Sequence, residues 1–310
     1  MSQVRTVRFL HLDVFTDELF GGNQLAVFPE ARHVPPRLMQ SIAREMAFSE
    51  TTFVLPPETA ETDVRVRIFT PGAELPMAGH PTIGTAYALA HEGLVRRGQQ
   101  RVVFGEGVGP VPIEMEWQQG RLAFAWMTQP LPTFGPLLDD VAAFAAAIGL
   151  DEQDIRATAL PVQEVSCGTP FVMVPIATRA AIDRAIPDIR AMRALFERLG
   201  TSANGVYLFS TAAGTDSANV YSRMFAPSLG IGEDPATGSA SGPLGAYLLR
   251  HGVITADGAR RLVNLQGVKM QRPSLIHIAL EVAGTTITRV RVGGTAVLVA
   301  EGTLNVPVQE

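Results

Sequence analysis

One cysteine, Cys167, and one lysine, Lys269, stand in a chain of 310 residues. A single cysteine excludes a disulfide within the chain and a cysteine zinc cage. A single lysine, set against 24 arginines (25 basic residues less one), leaves a Schiff-base mechanism one residue to rest on, in a context that does not suit it. LGIGEDPATGSA has the glycines of a phosphate loop but no lysine after them, and GEGVGP (residues 105–110) leads into a strand, as a dinucleotide turn does not. The six histidines offer no pair at metal-ligand spacing. Metal, nucleotide and nicotinamide cofactors are therefore not expected. A basic face is also missing: the net charge is −5, which argues against nucleic acid as partner. Long apolar runs are absent too. The longest, residues 141–148, falls far short of the roughly 20 residues a spanning helix needs, and no basic-then-apolar leader follows Met1. A soluble, cytoplasmic protein without a membrane partner is expected.

What the chain does have is a stretch that fits neither ordinary core nor ordinary loop. Residues 232–247, GEDPATGSASGPLGAY, bring Asp234 to the foot of a segment of Gly, Ala, Ser, Thr and Pro that then turns apolar. Backbone N–H groups at a helix start lack intrahelical partners and carry the positive end of the macrodipole, so small residues there make an anion site. The stretch has a relative. Arg67-Ile-Phe-Thr-Pro71 precedes LPMAGHPTIGTAYAL, and Arg223-Met-Phe-Ala-Pro227 precedes GIGEDPATGSASGPLGAYLL. Aligned on the proline that follows each polar residue, His80 matches Asp234, Pro81 matches Pro235 and Gly84 matches Gly238.

The echo extends along the chain. GGNQLAVFP (residues 21–29) is echoed by CGTPFVMVP (167–175), the helix opening at Pro35 by the one opening at Pro187, and SETTFVL (49–55) by NGVYLFS (204–210). EGVGPVPIEME (106–116) is echoed by QGVKMQRPSLIHIALE (266–281). A duplication of about 150 residues accounts for this, in line with the size of two ordinary domains. The expected boundaries are 1–127 and 128–294, with a proline-rich linker near residues 127–136. Each half reads as α+β, strand-rich around one buried helix; the first helix is expected near residues 82–92, apolar or small on every face. A ligand is expected in a cleft between the halves.

Several residues qualify for chemistry, each beside a plainer reading. Glu50 falls at a helix-to-strand junction among Met46, Phe48 and Phe53, where apolar surroundings would raise its pKa and suit it to taking and giving protons; position alone favours a Glu capping a strand. His80 can donate to a substrate oxygen or serve as a second proton carrier, or it is a loop histidine bonded to backbone. Asp234 suits the chemistry of a site or a plain N-cap. Gly79, Gly238 and Ser239 offer anion-binding N–H groups and a hydroxyl, or simple tight packing. Asn23, Arg67, Arg223 and Met270 to Ser274 are weaker candidates, and Cys167 reads as a small buried hydrophobe.

FLHLDVFTDELFGGNQLAVF, REMAFSETTFV, RIFTPGAELPMAGHPTIGTA, GEDPATGSASGPLGAYL and VGGTAVLVAEGTL, in this order, resemble the PhzF-like isomerases of phenazine biosynthesis, which share the diaminopimelate epimerase fold. The resemblance covers nearly the whole chain. It implies two similar domains, each a curled, mostly antiparallel sheet around a central helix. A final strand, about 295–310, tends to return to the first domain. It also implies a homodimer and a site without cofactor. In the family, the glutamate of the SET motif, here Glu50, moves a proton between carbons of dihydro-hydroxyanthranilate. The residues matching His80, Asp234 and Ser239 bind and polarise that substrate, whose carboxylate takes the helix N-termini. Racemases and epimerases of the same fold place two cysteines at these helix starts; this chain has Gly79-His80 and Asp234, which excludes two-thiol epimerisation. It departs from the pattern at Gln24, where Pro is common, at Ala47, where Asn is common, and at Gln271, where Gly is common; the last two are expected to alter the pocket. The expected function is a cofactor-free isomerase moving a proton within a small cyclic or unsaturated carboxylate. The alternatives are a carboxylate-binding protein without turnover, an epimerase of another amino-acid-like substrate, and a thiol enzyme using Cys167.

Overall fold

The computed structural model describes residues 4–226 and 231–307. Pro227 and Gly230, which belong to the motifs before the second helix start, lie outside the described residues. In chain order the first elements are β1 (Val4–Val14), β2 (Asn23–Phe28), α1 (Pro36–Met46), β3 (Glu50–Leu55), β4 (Val64–Phe69), β5 (Glu74–Leu75), α2 (Gly79–His91), β6 (Arg101–Glu106), β7 (Gly109–Gln118) and β8 (Arg121–Gln129). Then come β9 (Thr133–Leu137), α3 (Val141–Ala147), α4 (Glu152–Arg156), β10 (Gln163–Ser166), β11 (Pro170–Pro175), α5 (Arg179–Arg184), α6 (Ile189–Leu199), β12 (Val206–Ser210), β13 (Val220–Ala226) and β14 (Ile231–Asp234). The chain closes with α7 (Gly238–Arg250), β15 (Leu262–Gln266), β16 (Ser274–Ala283), β17 (Thr286–Gly294) and β18 (Ala296–Pro307). Two compact units result: residues 1–128 with 293–310, and residues 129–292.

In the first unit β1 pairs antiparallel with β18 along its whole length and with β2 on its other edge. β2 runs parallel to β3, and such a pair needs a crossover, which α1 supplies. α1 opens with a proline, buries Met39, Ile42 and Ala43 on one stripe, and stops at Ala47 in the left-handed conformation. β3 pairs with β4, and β4 pairs with β5 and, in parallel, with β6. α2 buries nearly all of its residues, and its small side chains let the strands close around it. Gly84 shows how tightly: a Cβ there would lie 2.5 Å from a methyl of Leu25. The helix starts three residues earlier than its apolar run suggests, at Gly79, so His80 and Pro81 belong to its first turn rather than preceding it.

The second unit repeats the plan. β10 and β11 form a hairpin, β11 runs parallel to β12 across α5 and α6, and β13 pairs antiparallel with β14 and parallel with β15. α7 is buried through Leu248 and shares a core with Phe171, Tyr207, Phe209 and Ile278. Asp140 caps α3, accepting from the Ala143 N–H at 3.1 Å. The expected linker at residues 127–136 is mostly strand. β8 reaches Gln129, and β9 begins at Thr133 and pairs with β10, opposing Phe134 to Val165. That partner is 31 residues away (165 − 134), so local composition carries no trace of it.

The repeats superpose in a different register from the one that aligning His80 with Asp234 gives. Glu74 takes the Arg67 guanidinium in two hydrogen bonds of 2.7 Å, and Glu233 takes that of Arg223 in two of 2.8 Å. Each arginine also lies over the ring two residues on, Phe69 or Phe225. Gly79 and Gly238 stand five residues past these glutamates and are the first residues of their helices. His80 therefore corresponds to Ser239, Pro76 to Pro235, and Asp234 to Leu75. Two prolines near one helix start made the wrong one align.

Candidate active site

Glu50 opens β3 directly after the left-handed turn that ends α1, and it is 8% exposed. His80, 3% exposed, brings its Nε2 to 3.3 Å from Glu50 Oε2. On the other side of the ring, the amide nitrogen of Asn23 lies 3.1 Å from Nδ1. Asn23 and Glu50 thus flank the two nitrogens of the ring. Burial pushes the His80 pKa down to about 3, with a main-chain hydrogen bond at Gln24 working the other way. Burial thus favours the neutral form of the ring. Three of the residues named from sequence, Asn23, Glu50 and His80, meet here. Gly79 is beside them in the chain, at a helix start whose N-cap, Ala78, provides no side-chain cap.

In the second unit Asp234 ends β14 and is 5% exposed. It is not the cap of α7: the N-cap is Thr237, whose hydroxyl instead donates to Asp234 Oδ2 at 2.6 Å. Gln266 ties the turn together. Its Nε2 donates to the Asp234 carbonyl (2.7 Å) and to Thr237 Oγ1 (2.9 Å), while its Oε1 accepts from the Thr237 N–H (3.1 Å) and from the Tyr207 hydroxyl (2.9 Å). Burial raises the Tyr207 hydroxyl to about 12, so it stays a neutral donor. Gly238 is buried and Ser239 half-buried at the open start of α7. Gln266, Tyr207 and Thr237 escape motif reading; the one signal for Gln266 is the echo of EGVGP in QGVKM.

The repeat breaks where the acid is. Ala26 and Val172 each lie four residues past a left-handed glycine, Gly22 or Gly168, and pair with Thr51 and Val206. Glu50 thus corresponds to Gly205, where a Cβ would meet the Phe225 carbonyl oxygen at 2.4 Å. The second unit has no room for any side chain there, and so no acid equivalent to Glu50. Arg67 and Arg223 serve the strand pairs described above. Cys167 is fully buried and its thiol is pushed up to about 12, which argues against it as a nucleophile.

The family model described as phenazine biosynthesis-like protein, PhzC-PhzF, matches residues 12–302. The trans-2,3-dihydro-3-hydroxyanthranilate isomerase of Pseudomonas aeruginosa is 37% identical over 295 residues, covering 95% of this chain and 98% of its own. Among solved structures, a phenazine biosynthesis protein of the PhzF family from Bacillus anthracis has a TM-score of 0.85 at 28% identity, covering 97% of this chain and 99% of that one. A hydroxyproline epimerase from Agrobacterium vitis, solved with trans-4-hydroxy-L-proline bound, shares the fold alone: TM-score 0.70 at 12% identity, over 99% of this chain and 95% of that one.

Proposed function

The chain belongs to the phenazine biosynthesis-like family and is an isomerase of it, and we propose that it moves a proton within a small cyclic or unsaturated carboxylate of the dihydro-hydroxyanthranilate kind, with Glu50 as the proton carrier. The observation that carries this is the buried Asn23–His80–Glu50 chain of contacts. Asn23 holds the His80 ring against Glu50, His80 binds and polarises the substrate, and Glu50 alternates between taking the proton from one substrate carbon and returning it to another. Asp234 and the open starts of the two helices, with Gly79, Gly238 and Ser239, serve the same substrate by binding its carboxylate and polarising it. The scheme uses no cofactor, and we place it in the cytoplasm, in a homodimer.

The two helix starts carry Gly79-His80 and Gly238-Ser239 and no thiol, which supports one carrier that both removes and returns the proton over a two-thiol epimerisation. The test is solvent exchange. Incubation with candidate cyclic carboxylates in deuterated water should place deuterium at a substrate carbon in wild type and not in Glu50→Gln. Exchange in the variant as fast as in wild type overturns the role of Glu50. Tight carboxylate binding that survives Glu50→Gln, with exchange in neither protein, identifies a binding protein instead.

A further inference from the structure

Beneath the start of α2 lies a carboxyl group that the proposed chemistry does not use. Glu106, the last residue of β6, is 2% exposed, and its Oε1 is 2.6 Å from the Thr82 hydroxyl. That hydroxyl is also 2.6 Å from the Ala78 carbonyl oxygen. Thr82 has one proton, and a carbonyl can only accept. If Thr82 donates to Ala78, the proton between Thr82 and Glu106 must come from Glu106. The repeat supplies an independent measure. β4 runs parallel to β6 with Val64 opposite Phe104, and β13 runs parallel to β15 with Val220 opposite Asn264, so Glu106 corresponds to Gln266. The glycine after each, Gly107 or Gly267, presses on the corresponding proline, Pro76 or Pro235. At the second helix start the position is filled by a neutral amide, one end donating and the other accepting. A protonated carboxyl is the nearest carboxylic equivalent of that amide.

We propose that Glu106 is a positioning residue: as a neutral carboxylic acid it donates to Thr82, which holds the Ala78 carbonyl and with it the first turn of α2, the task Gln266 performs for α7. Burial pushes the Glu106 pKa up to about 8, against smaller downward pulls from Thr82 and from Arg65. Of the charged groups around it, Arg65 comes from β4 and is itself paired with Glu58 at 3.3 Å. β7 places Gly109 opposite it, and α2 contributes Thr82, which does not titrate. Ionisation would turn the donor into an acceptor and leave Thr82 to choose between Glu106 and Ala78. The start of α2, and with it the placement of His80, would then loosen at alkaline pH. The consequence for turnover rests on the function proposed above; the protonation state does not.

The sign of the stability effect follows from the raised pKa. The folded state keeps a proton that the unfolded state, near its ordinary value of 4.5, releases, so stability is lost as pH rises from about 4.5 through about 8. The full chain and its Glu106→Gln variant are compared by thermal melting across that range and by difference infrared spectroscopy at pH 7. The variant should gain in melting temperature over wild type progressively with pH, with the gain levelling off above about 8. Wild type should show a protonated-carboxyl C=O band that the variant lacks. Parallel melting curves, no such band, or a variant that does not fold would each overturn the proposal. In deuterium exchange, wild type should lose rate with a midpoint near pH 8, and Glu106→Gln should keep it. If no carboxylate exchanges at all, the functional reading fails, while melting and infrared still decide the state of Glu106.

Discussion

A buried imidazole that resists protonation bears on what the residue beside it does. Burial favours a neutral His80, in line with the proposal that Glu50 carries the proton. Replacing Glu50 with Gln keeps its shape and one acceptor, and should lower exchange by about 100-fold or more, the usual size of a general acid–base contribution, with an unchanged circular dichroism spectrum. His80 has a separate signature. Its folded pKa lies below its unfolded value of 6.5, so the unfolded state binds the proton first and stability is lost as pH falls from about 6.5 toward 3. His80→Asn should flatten that part of the melting-temperature profile; an acid limb of unchanged slope would assign the effect to other groups. Cys167→Ala should leave the exchange rate as it is, because the buried thiol faces no step of the chemistry.

At the scale of elements, the two departures that were expected to alter the pocket both stand where the backbone is left-handed. Ala47 ends α1 at φ 54° and Gln271 caps the short turn after Val268 at φ 57°, both in the left-handed region. The residues common at these places in the family the chain resembles, Asn and Gly, are the ones that tolerate that conformation. Ala47→Gly and Gln271→Gly should each stabilise the fold by about 1 kcal/mol, read as a higher denaturation midpoint with an unchanged m-value. The same physics explains what could be read of the helices. Uncapped starts rich in Gly, Ala and Ser announce themselves in sequence, as do the amphipathic stripes of α1 and α6. The first turn of α2 did not. A His-Pro pair looks like a boundary, yet proline is tolerated within the first helical turn, where its missing N–H has no partner to lose.

For the whole molecule, the outstanding fact is that β18 pairs with β1 from Val4 opposite Pro307 to Val14 opposite Ala296. The first unit is closed by a strand from the far end of the chain, whereas the second is continuous in sequence. A fragment of residues 129–292 should therefore melt cooperatively alone. A chain ending at residue 294 should keep that transition and lose the one belonging to the first unit, because β1 would be left with an open edge. Two transitions surviving in the truncated chain would show that β18 is dispensable. No helix among the described residues is long and apolar enough to cross a membrane.

The amino-acid sequence alone carried the duplication, the two small-residue helix starts, the acid of SETTFV at a helix-to-strand junction and the family resemblance, because each is written in local composition and spacing. It did not carry the five-residue shift between the repeats, since either of two prolines satisfies the pattern and it takes the folded contacts, such as the Arg67–Glu74 and Arg223–Glu233 pairs, to tell them apart. Nor did it carry the meeting of Asn23 with His80 across 57 residues, or a proton shared between Thr82 and Glu106 across 24. Burial and hydrogen-bond partners are properties of the folded chain. They bias which groups are charged and which are neutral, and no local spacing records that.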